Sequence, residues 1–159
     1  MKALEAGKDV LCEKPIALNA PEAAAIVEAR DRTGRRIVEA FMVRFHPQWR
    51  RVREIATSGA IGRVGAIQTF FSYRLTDGDN IRNKPPGGGG MYDIGCYAIL
   101  TARYMFGAEP TRVVAALDFD PTFGTDRLAS AIGFSQRTCL PASRARIVHG
   151  TCNSLGRGL

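Results

Sequence analysis

Residues 87–97 read GGGGMYDIGCY, and the interpretation of the whole chain starts from this stretch. Four consecutive glycines put no Cβ atom in a loop, so a bulky group can approach its backbone closely. From Met91 to about Phe106 the sequence is apolar nearly all round, which predicts a buried helix. Asp93 is the exception within that helix, and a buried carboxylate needs a partner or a function.

Tyr97 follows Asp93 by four residues, so a regular helix would present both side chains on one face. A phenol and a carboxylate at the mouth of a glycine loop indicate a proton-transfer site. The spacing alone favours a simpler alternative, in which both side chains satisfy buried polar groups of a core helix. Another feature of the chain is needed to decide between the two.

Composition excludes several classes of protein. The chain has 159 residues, of which 45% are hydrophobic, as in ordinary globular domains. It contains no apolar run long enough to span a membrane, and residues 1–7 lack the apolar core of a secretory signal. The four cysteines form no C-x-x-C pair and His46 is distant from all of them, so neither a metal site nor a disulfide framework is predicted. Free thiols indicate a cytoplasmic protein.

The net charge of +7 suggests a nucleic-acid partner, but its distribution argues against one. Residues 135–159 hold four arginines and no acidic residue, and the preceding 134 residues carry a net charge of only +3. The segment 135–159 also has no sustained period of 2 or 3.6, so it is interpreted as an atypical tail. Disorder and a shifted reading frame are the two hypotheses for its origin.

The order of elements changes partway along the chain. Residues 1–41 alternate helix, strand, helix and strand, which predicts the βαβ arrangement of a parallel sheet; Asn19 and Glu22 form a capping box at the second helix. Beyond a boundary near Phe45, we predict a helix over 47–57, strands over 65–75, 111–117 and 127–134, and the buried helix. The fold class is therefore α/β followed by α+β.

A second motif stands at the end of the first predicted strand, where Glu13, Lys14 and Pro15 follow one another. The carboxyl ends of strands are where α/β sheets hold ligands. Together with the glycine stretch, this order resembles the Gfo/Idh/MocA oxidoreductase family. Residues 3–15 (ALEAGKDVLCEKP) are similar to its helix–strand–EKP segment, and residues 88–97 to its GGG-x-x-x-D-x-G-x-(H/Y) signature. The resemblance extends from residue 1 to about 134.

The resemblance implies an NAD(P)-dependent dehydrogenase that acts on a sugar, polyol or related alcohol or carbonyl. It implies catalytic roles for Lys14, Asp93 and Tyr97. Tyrosine at the last position is similar to the branch of glucose–fructose oxidoreductase, xylose dehydrogenase and dihydrodiol dehydrogenase, which favours NADP over NAD. Residues implied to contact the cofactor are Glu13, Lys14, Pro15 and Arg44.

The substrate contacts are predicted from the loop before the glycines. Asn80, Arg82 and Asn83 could hydrogen-bond a polyhydroxylated substrate together with Asp93, the alternative being a plain polar loop. For Arg44 the alternative is an ion pair at the domain seam. Family members associate through the open face of the second-domain sheet, which implies a homo-oligomer.

The sequence departs from the family in one respect. The dinucleotide fingerprint G-x-G-x-x-G is absent, and only 12 residues precede Glu13. We therefore expect a chain truncated at both ends: residues 1–45 as part of a Rossmann domain and 46–134 as part of an α+β catalytic domain. Such an oxidoreductase would be inactive alone or completed by further residues. The alternative is a non-catalytic fragment or interaction module that binds no cofactor.

Overall fold

The computed structural model describes residues 1–75, 77–136, 144–148 and 152–153, and for residues 136, 144–148 and 152–153 it describes the backbone alone. The chain forms two compact units, Met1–Met42 and Val43–Leu159. Within the described residues, no helix is both long and apolar enough to cross a lipid bilayer.

The first unit alternates helices and strands as the sequence predicted. Its elements are α1 (Lys2–Glu5), β1 (Val10–Cys12), α2 (Ala20–Thr33) and β2 (Ile37–Glu39). The two strands pair in parallel, with Leu11 opposite Val38. Leu4 on α1 and Ala29 on α2 are fully buried, so the two helices share the apolar core of this unit.

The predicted capping box at the start of α2 is confirmed. The Asn19 side-chain oxygen accepts a hydrogen bond from the Glu22 backbone N–H at 2.9 Å, and the Glu22 carboxylate accepts one from the Leu18 N–H at 3.0 Å. These bonds satisfy backbone donors that a helix start otherwise leaves without partners. Gly34, in the left-handed region at φ 63°, ends the helix.

The second unit combines two α-helices with a mainly antiparallel sheet. Its α-helices and strands are α3 (Pro47–Ser58), β3 (Ala66–Gln68), α4 (Cys96–Phe106), β4 (Arg112–Phe119), β5 (Asp126–Gln136), β6 (Arg144–Val148) and β7 (Cys152–Asn153). The strand order is β3-β6-β5-β4, and β7 also pairs with β5. Strands β4, β5 and β6 are antiparallel neighbours, and β3 runs parallel to β6.

The core of this unit forms around α4. Its buried residues include Leu100, Ala102, Met105 and Phe106, which confirms the prediction of a buried helix. Helix α3 packs against it, with the Arg53 guanidinium 4.6 Å from the centre of the Tyr104 ring. The apolar sequence of α4 therefore reflects its packing inside the unit.

One predicted strand is much shorter than expected. Alternation over residues 65–75 predicted a long strand, but the hydrogen-bonded strand β3 covers only Ala66–Gln68. The described part of its partner β6 reaches only to Val148, opposite Gln68, so among the described residues no backbone of β6 pairs with the chain after Gln68. Alternation indicates an extended chain, whereas a strand also requires a partner.

The segment predicted as an atypical tail, residues 135–159, is described only in parts. Residues 135 and 136 complete β5, and Arg144–Val148 and Cys152–Asn153 form the strands that pair with it. The remainder of the segment lies outside the described residues, as do Cys139, His149 and the side chain of Cys152. Cys12 is a free thiol, and the Cys96 thiol donates a hydrogen bond to the Asp93 carbonyl at 3.6 Å.

Candidate active site

The glycine loop folds back on the polar loop that precedes it. The Gly88 N–H donates to the Lys84 carbonyl at 3.0 Å, and the Gly89 N–H donates to the Arg82 carbonyl at 2.7 Å. A Cβ atom on Gly88 would lie 2.4 Å from the Lys84 carbonyl oxygen, closer than real Cβ contacts come. The sequence predicted that a bulky group approaches these glycines, and in this unit backbone carbonyls of the same chain do so.

Asp126, the first residue of β5, holds the other side of the glycine loop. Its carboxylate accepts a hydrogen bond from the Met91 N–H at 2.7 Å. Gly89 has φ +102°, and a Cβ atom there would lie 2.1 Å from the carboxylate. Only 7% of Asp126 is exposed, and this burial raises the pKa of its carboxyl group, although the backbone N–H groups of Met91, Asp126 itself and Gly90 partly oppose the shift.

The raised pKa of Asp126 makes a prediction about stability. A carboxyl whose pKa is higher in the folded than in the unfolded state binds protons more tightly when folded, so its contribution to stability falls as pH rises. Urea unfolding of wild type and Asp126→Asn, compared at about pH 4 and pH 7, measures this contribution. The free energy of unfolding of wild type minus that of the variant should be larger at the lower pH. A difference that grows with rising pH would contradict the assignment.

Asp93 lies near the start of the signature helix, where its carboxylate has two partners. The Arg82 Nε atom is 3.2 Å from one carboxylate oxygen, and the Tyr73 hydroxyl donates a hydrogen bond to the other. The side chain of Asp93 is 13% exposed, so the carboxylate is largely shielded yet still reached by solvent. Its backbone N–H donates to the Gly89 carbonyl at 3.0 Å, which links it to the glycine loop. The structure thus combines two predicted residues, Arg82 and Asp93, with Tyr73.

The signature helix does not begin as a regular α-helix. Residues Met91–Gly95 form a π-helical turn, and α4 continues from Cys96. Tyr97 lies in the first turn of α4, and its ring centre is 6.1 Å from that of Phe71. The Phe71 ring centre is also 6.4 Å from that of Tyr73, so this one phenylalanine contacts both phenols. A π-helical turn at a helix start is an irregularity often found at functional sites.

The other predicted substrate residues lie in the loop before the glycines. Asn80 caps a short 3₁₀ turn, Ile81–Asn83, by accepting a hydrogen bond from the Arg82 N–H at 3.1 Å. The Asn83 amide is buried and donates to the Asp77 carbonyl at 2.8 Å. The two asparagines thus stabilise the loop, and Arg82 is the member of this group whose side chain contacts Asp93.

The predicted cofactor residues of the first unit follow β1. Glu13, Lys14 and Pro15 begin directly after Cys12, at the carboxyl end of both parallel strands. Glu39 at the end of β2 accepts a hydrogen bond from the Ile16 N–H at 2.7 Å, which ties the segment to that end of the sheet. Arg44 is exposed and belongs to the second unit, in a 3₁₀ turn at Met42–Arg44.

The fit of this unit to a dinucleotide is partial. The pyrophosphate of such a cofactor usually binds free amides at a helix start, but in α2 the Asn19 side chain already occupies the Glu22 N–H. The sequence also has no G-x-G-x-x-G turn. Lys14, by contrast, provides an ammonium donor at the carboxyl end of β1. The described residues therefore fit one polar group of the cofactor and not its pyrophosphate.

Comparison with known families identifies both units. Residues 1–41 match the model of the oxidoreductase family with an NAD-binding Rossmann fold, and residues 49–136 match the GFO/IDH/MocA C-terminal domain. The chain belongs to the Gfo/Idh/MocA oxidoreductase family. The predicted family and the coarse fold class, a Rossmann part followed by a domain with antiparallel strands, are thus confirmed.

Similar proteins include oxidoreductases of the same family. An uncharacterized oxidoreductase of Rhizobium meliloti is 48% identical over 94% of this chain and 46% of its own length. A D-xylose 1-dehydrogenase (NADP(+)) of Haloferax volcanii is 40% identical over 82% of the chain and 40% of its own length. A 3-ketoreductase from Actinomadura kijaniata, solved with NADP and TDP-benzene, has a TM-score of 0.83 at 28% identity over 96% of the chain and 45% of its own. The chain thus spans less than half the length of these relatives.

Sequence reasoning missed Tyr73 and Asp126. Tyr73 lies within the strand predicted over residues 65–75, where the alternating pattern gives it no distinct role. Asp126 stands 35 residues after Met91, and nothing in the local sequence distinguishes it from a turn acid such as Asp120. Both residues act through partners that are distant in sequence, so no local pattern predicts them.

Proposed function

We propose that this protein transfers a hydride between a nicotinamide dinucleotide and a sugar, polyol or related alcohol or carbonyl. The observation that carries the proposal is the shielded carboxylate of Asp93, paired with the Arg82 guanidinium at 3.2 Å beside the glycine loop. A carboxylate oriented in this way can accept a hydrogen bond from a substrate hydroxyl. Membership of the oxidoreductase family supports the same reaction class.

Tyr97 is the proposed acid and base. Its phenol would donate a proton to the reacting oxygen during reduction and accept it during oxidation. The ring of Phe71 packs against it and limits its motion, which helps to orient the hydroxyl group. Lys14 contributes an ammonium, a group that can stabilise negative charge developing during the transfer.

The cofactor, when bound, supplies the hydride chemistry. We assign its polar contacts in this chain to Glu13, Lys14, Pro15 and Arg44. The names of two relatives, which mention NADP, favour NADP over NAD here as well. Because the described residues offer no pyrophosphate turn, these contacts alone should bind the cofactor weakly.

The substrate contacts are assigned mainly to the second unit. Arg82 and Asp93 provide a donor and an acceptor at the glycine loop, a combination suited to adjacent hydroxyl groups of a sugar. Asn80 and Asn83 stabilise the loop that carries Arg82, and their amides are the next candidates for substrate contact. Such a site would recognise polyhydroxylated molecules by hydrogen bonds rather than by apolar surface.

A cofactor-binding experiment tests the proposal. NADPH fluorescence is titrated with the protein purified at its native length, and NADP⁺ reduction is then followed with a panel of aldoses and polyols. We expect Lys14→Met to weaken NADPH binding by about tenfold, the equivalent of one charge-assisted hydrogen bond. Lys8→Met, which removes an exposed lysine of the same unit, is the matched control and should bind as wild type.

A lack of both cofactor binding and turnover would exclude the proposal. If the protein binds neither NADPH nor NADH at millimolar concentration and reduces no cofactor with any substrate of the panel, the proposed reaction is excluded. The non-catalytic alternative, a family member that retains the fold without binding a cofactor, would then be favoured.

A further inference from the structure

Asp126 is a buried carboxylate to which the proposed chemistry gives no role. It lies at the start of β5 and contacts the chain that leads into the signature helix, through a hydrogen bond from the Met91 N–H and a favourable electrostatic interaction with the Gly90 N–H. No ion pair of Asp126 is found in the described residues. A carboxylate with 7% exposure is costly to bury, so the structure must gain something specific from it.

The contacts of Asp126 lead directly to Asp93. The carboxylate accepts a hydrogen bond from the Met91 N–H, and the Gly89 carbonyl accepts one from the Asp93 N–H at 3.0 Å. The short segment between Gly89 and Asp93 is therefore held at both ends. A shift of the carboxylate would move the backbone from which the Asp93 side chain projects.

Thr125, the residue directly before β5, contacts the loop that carries Arg82. Its hydroxyl donates a hydrogen bond at 3.1 Å to the carbonyl of Asn83, which follows Arg82 in the chain. The Arg82 carbonyl in turn accepts the Gly89 N–H at 2.7 Å. Thus Thr125 and Asp126 together fix the two backbone segments that bring Arg82 within 3.2 Å of Asp93.

The residue type matters for this arrangement. The Met91 N–H requires an acceptor, and a carboxylate presents two acceptor oxygens without any donor of its own. An asparagine side chain offers one acceptor oxygen and an NH₂ group, which is a donor like the backbone N–H groups around it. The same shape with an amide should therefore hold the loop less well.

We propose that Asp126 is a positioning residue that sets the placement of Asp93 at the mouth of the glycine loop. The importance of this placement for catalysis rests on the proposed function, but the contact itself does not. Asp126 acts through the backbone of Gly89 to Met91, without touching the substrate. Its loss should displace Asp93 and the groups bound to Asp93, and leave the rest of the unit in place.

Nuclear magnetic resonance of the protein with ¹³C-labelled tyrosine rings tests this proposal. Tyr73 donates to Asp93, and Tyr97 shares the Phe71 contact, so both rings report on the placement of Asp93. Tyr104, packed under Arg53, is the internal control. In Asp126→Asn we expect the Tyr73 and Tyr97 resonances to shift while that of Tyr104 stays.

Amide hydrogen exchange gives a second readout. The Gly90 and Met91 amides should exchange about 10- to 100-fold faster in Asp126→Asn, the loss expected for a hydrogen bond to a charged group. The amides of the β4–β5 ladder should keep their wild-type rates. Asp118→Asn, which removes an exposed carboxylate paired with Arg127 on the neighbouring strand, is the matched control and should change neither readout.

Several results would overturn the proposal. Unchanged Tyr73 and Tyr97 resonances in a folded Asp126→Asn protein would do so, as would an equal shift of Tyr104, which indicates a general structural role. If Asp126→Asn does not fold, the measurement is repeated with Asp126→Ser, which has a smaller side chain. Independently of any variant, Gly90 and Met91 amides that exchange freely in the wild-type protein would refute the contact. A protein that shows the predicted shifts without any turnover would refute the proposed function and leave the positioning contact intact.

Discussion

Tyr97→Phe is expected to lower kcat for sugar-dependent NADP⁺ reduction by about 10²- to 10⁴-fold, the contribution of a general acid or base. The change removes one hydroxyl group and keeps the ring that packs against Phe71 at 6.1 Å, so the helix should remain in place. KM for the substrate should change much less, because Arg82 and Asp93 still provide their hydrogen bonds. Steady-state kinetics of the protein at its native length measure both constants.

Tyr104→Phe is the matched control for this prediction. Tyr104 lies on the same helix, its ring packs under the Arg53 guanidinium, and the substitution again removes only a hydroxyl group. We expect kcat of this variant to equal that of wild type. If Tyr97→Phe retained wild-type kcat while Lys14→Met abolished turnover, Tyr97 would not be the acid and base, and another group would carry the proton.

Gly88→Ala is expected to destabilise the second unit by about 1–3 kcal/mol, the usual cost of forcing an atom into a packed site. The new Cβ would meet backbone atoms of Lys84 and Arg82 at 2.4 to 2.8 Å, and backbone cannot move aside as a flexible side chain can. Relief requires the loop that carries Arg82 to shift away from Asp93. Urea unfolding measures the loss of stability, and substrate titration measures the loss of binding.

Gly65→Ala provides the comparison at a site without contacts. Apart from its chain neighbours, no atom of the described residues lies within 4 Å of a Cβ built on Gly65, and its φ is outside the left-handed region. The same substitution there should change the free energy of unfolding by less than about 0.5 kcal/mol. Equal effects at both glycines would show that the close packing at Gly88 is not what the loop requires.

Much of the architecture could be predicted from local sequence. The N-cap at Asn19, the nearly all-round apolar sequence of α4 and the strand-like segments over residues 111–117 and 127–134 each extend over a few residues, and the structure has elements at all of them. The family could also be predicted, because its two motifs are short and contiguous. The helix–strand–EKP segment lies within residues 3–15, and the glycine signature lies within residues 88–97.

The extent of the strand within residues 65–75 could not be predicted from local sequence, because it depends on a neighbouring strand. Alternation is a property of one segment, but the length of a strand depends on its neighbour, and the described part of β6 pairs with this segment only as far as Gln68. Tyr73, five residues later, contacts Asp93 instead of lying in a ladder. The failure to predict the role of Tyr73 and the overestimated length of the strand over residues 65–75 therefore have the same cause, which is a dependence on partners distant in sequence.

The sequence by itself determined the family and the main order of elements up to residue 134, since each depends on residue types at short spacing. The roles proposed for Lys14, Asp93 and Tyr97 follow from the family resemblance. The strands β6 and β7, in the segment interpreted as a tail, were not predicted. Only the tertiary structure decided what surrounds Asp93: Arg82 at one oxygen, Tyr73 at the other, and Asp126 holding the loop from β5. These partners lie between 11 and 35 residues apart in the chain. The hydrogen bonds that orient a buried carboxylate depend on which segments pack together, and local sequence does not record that.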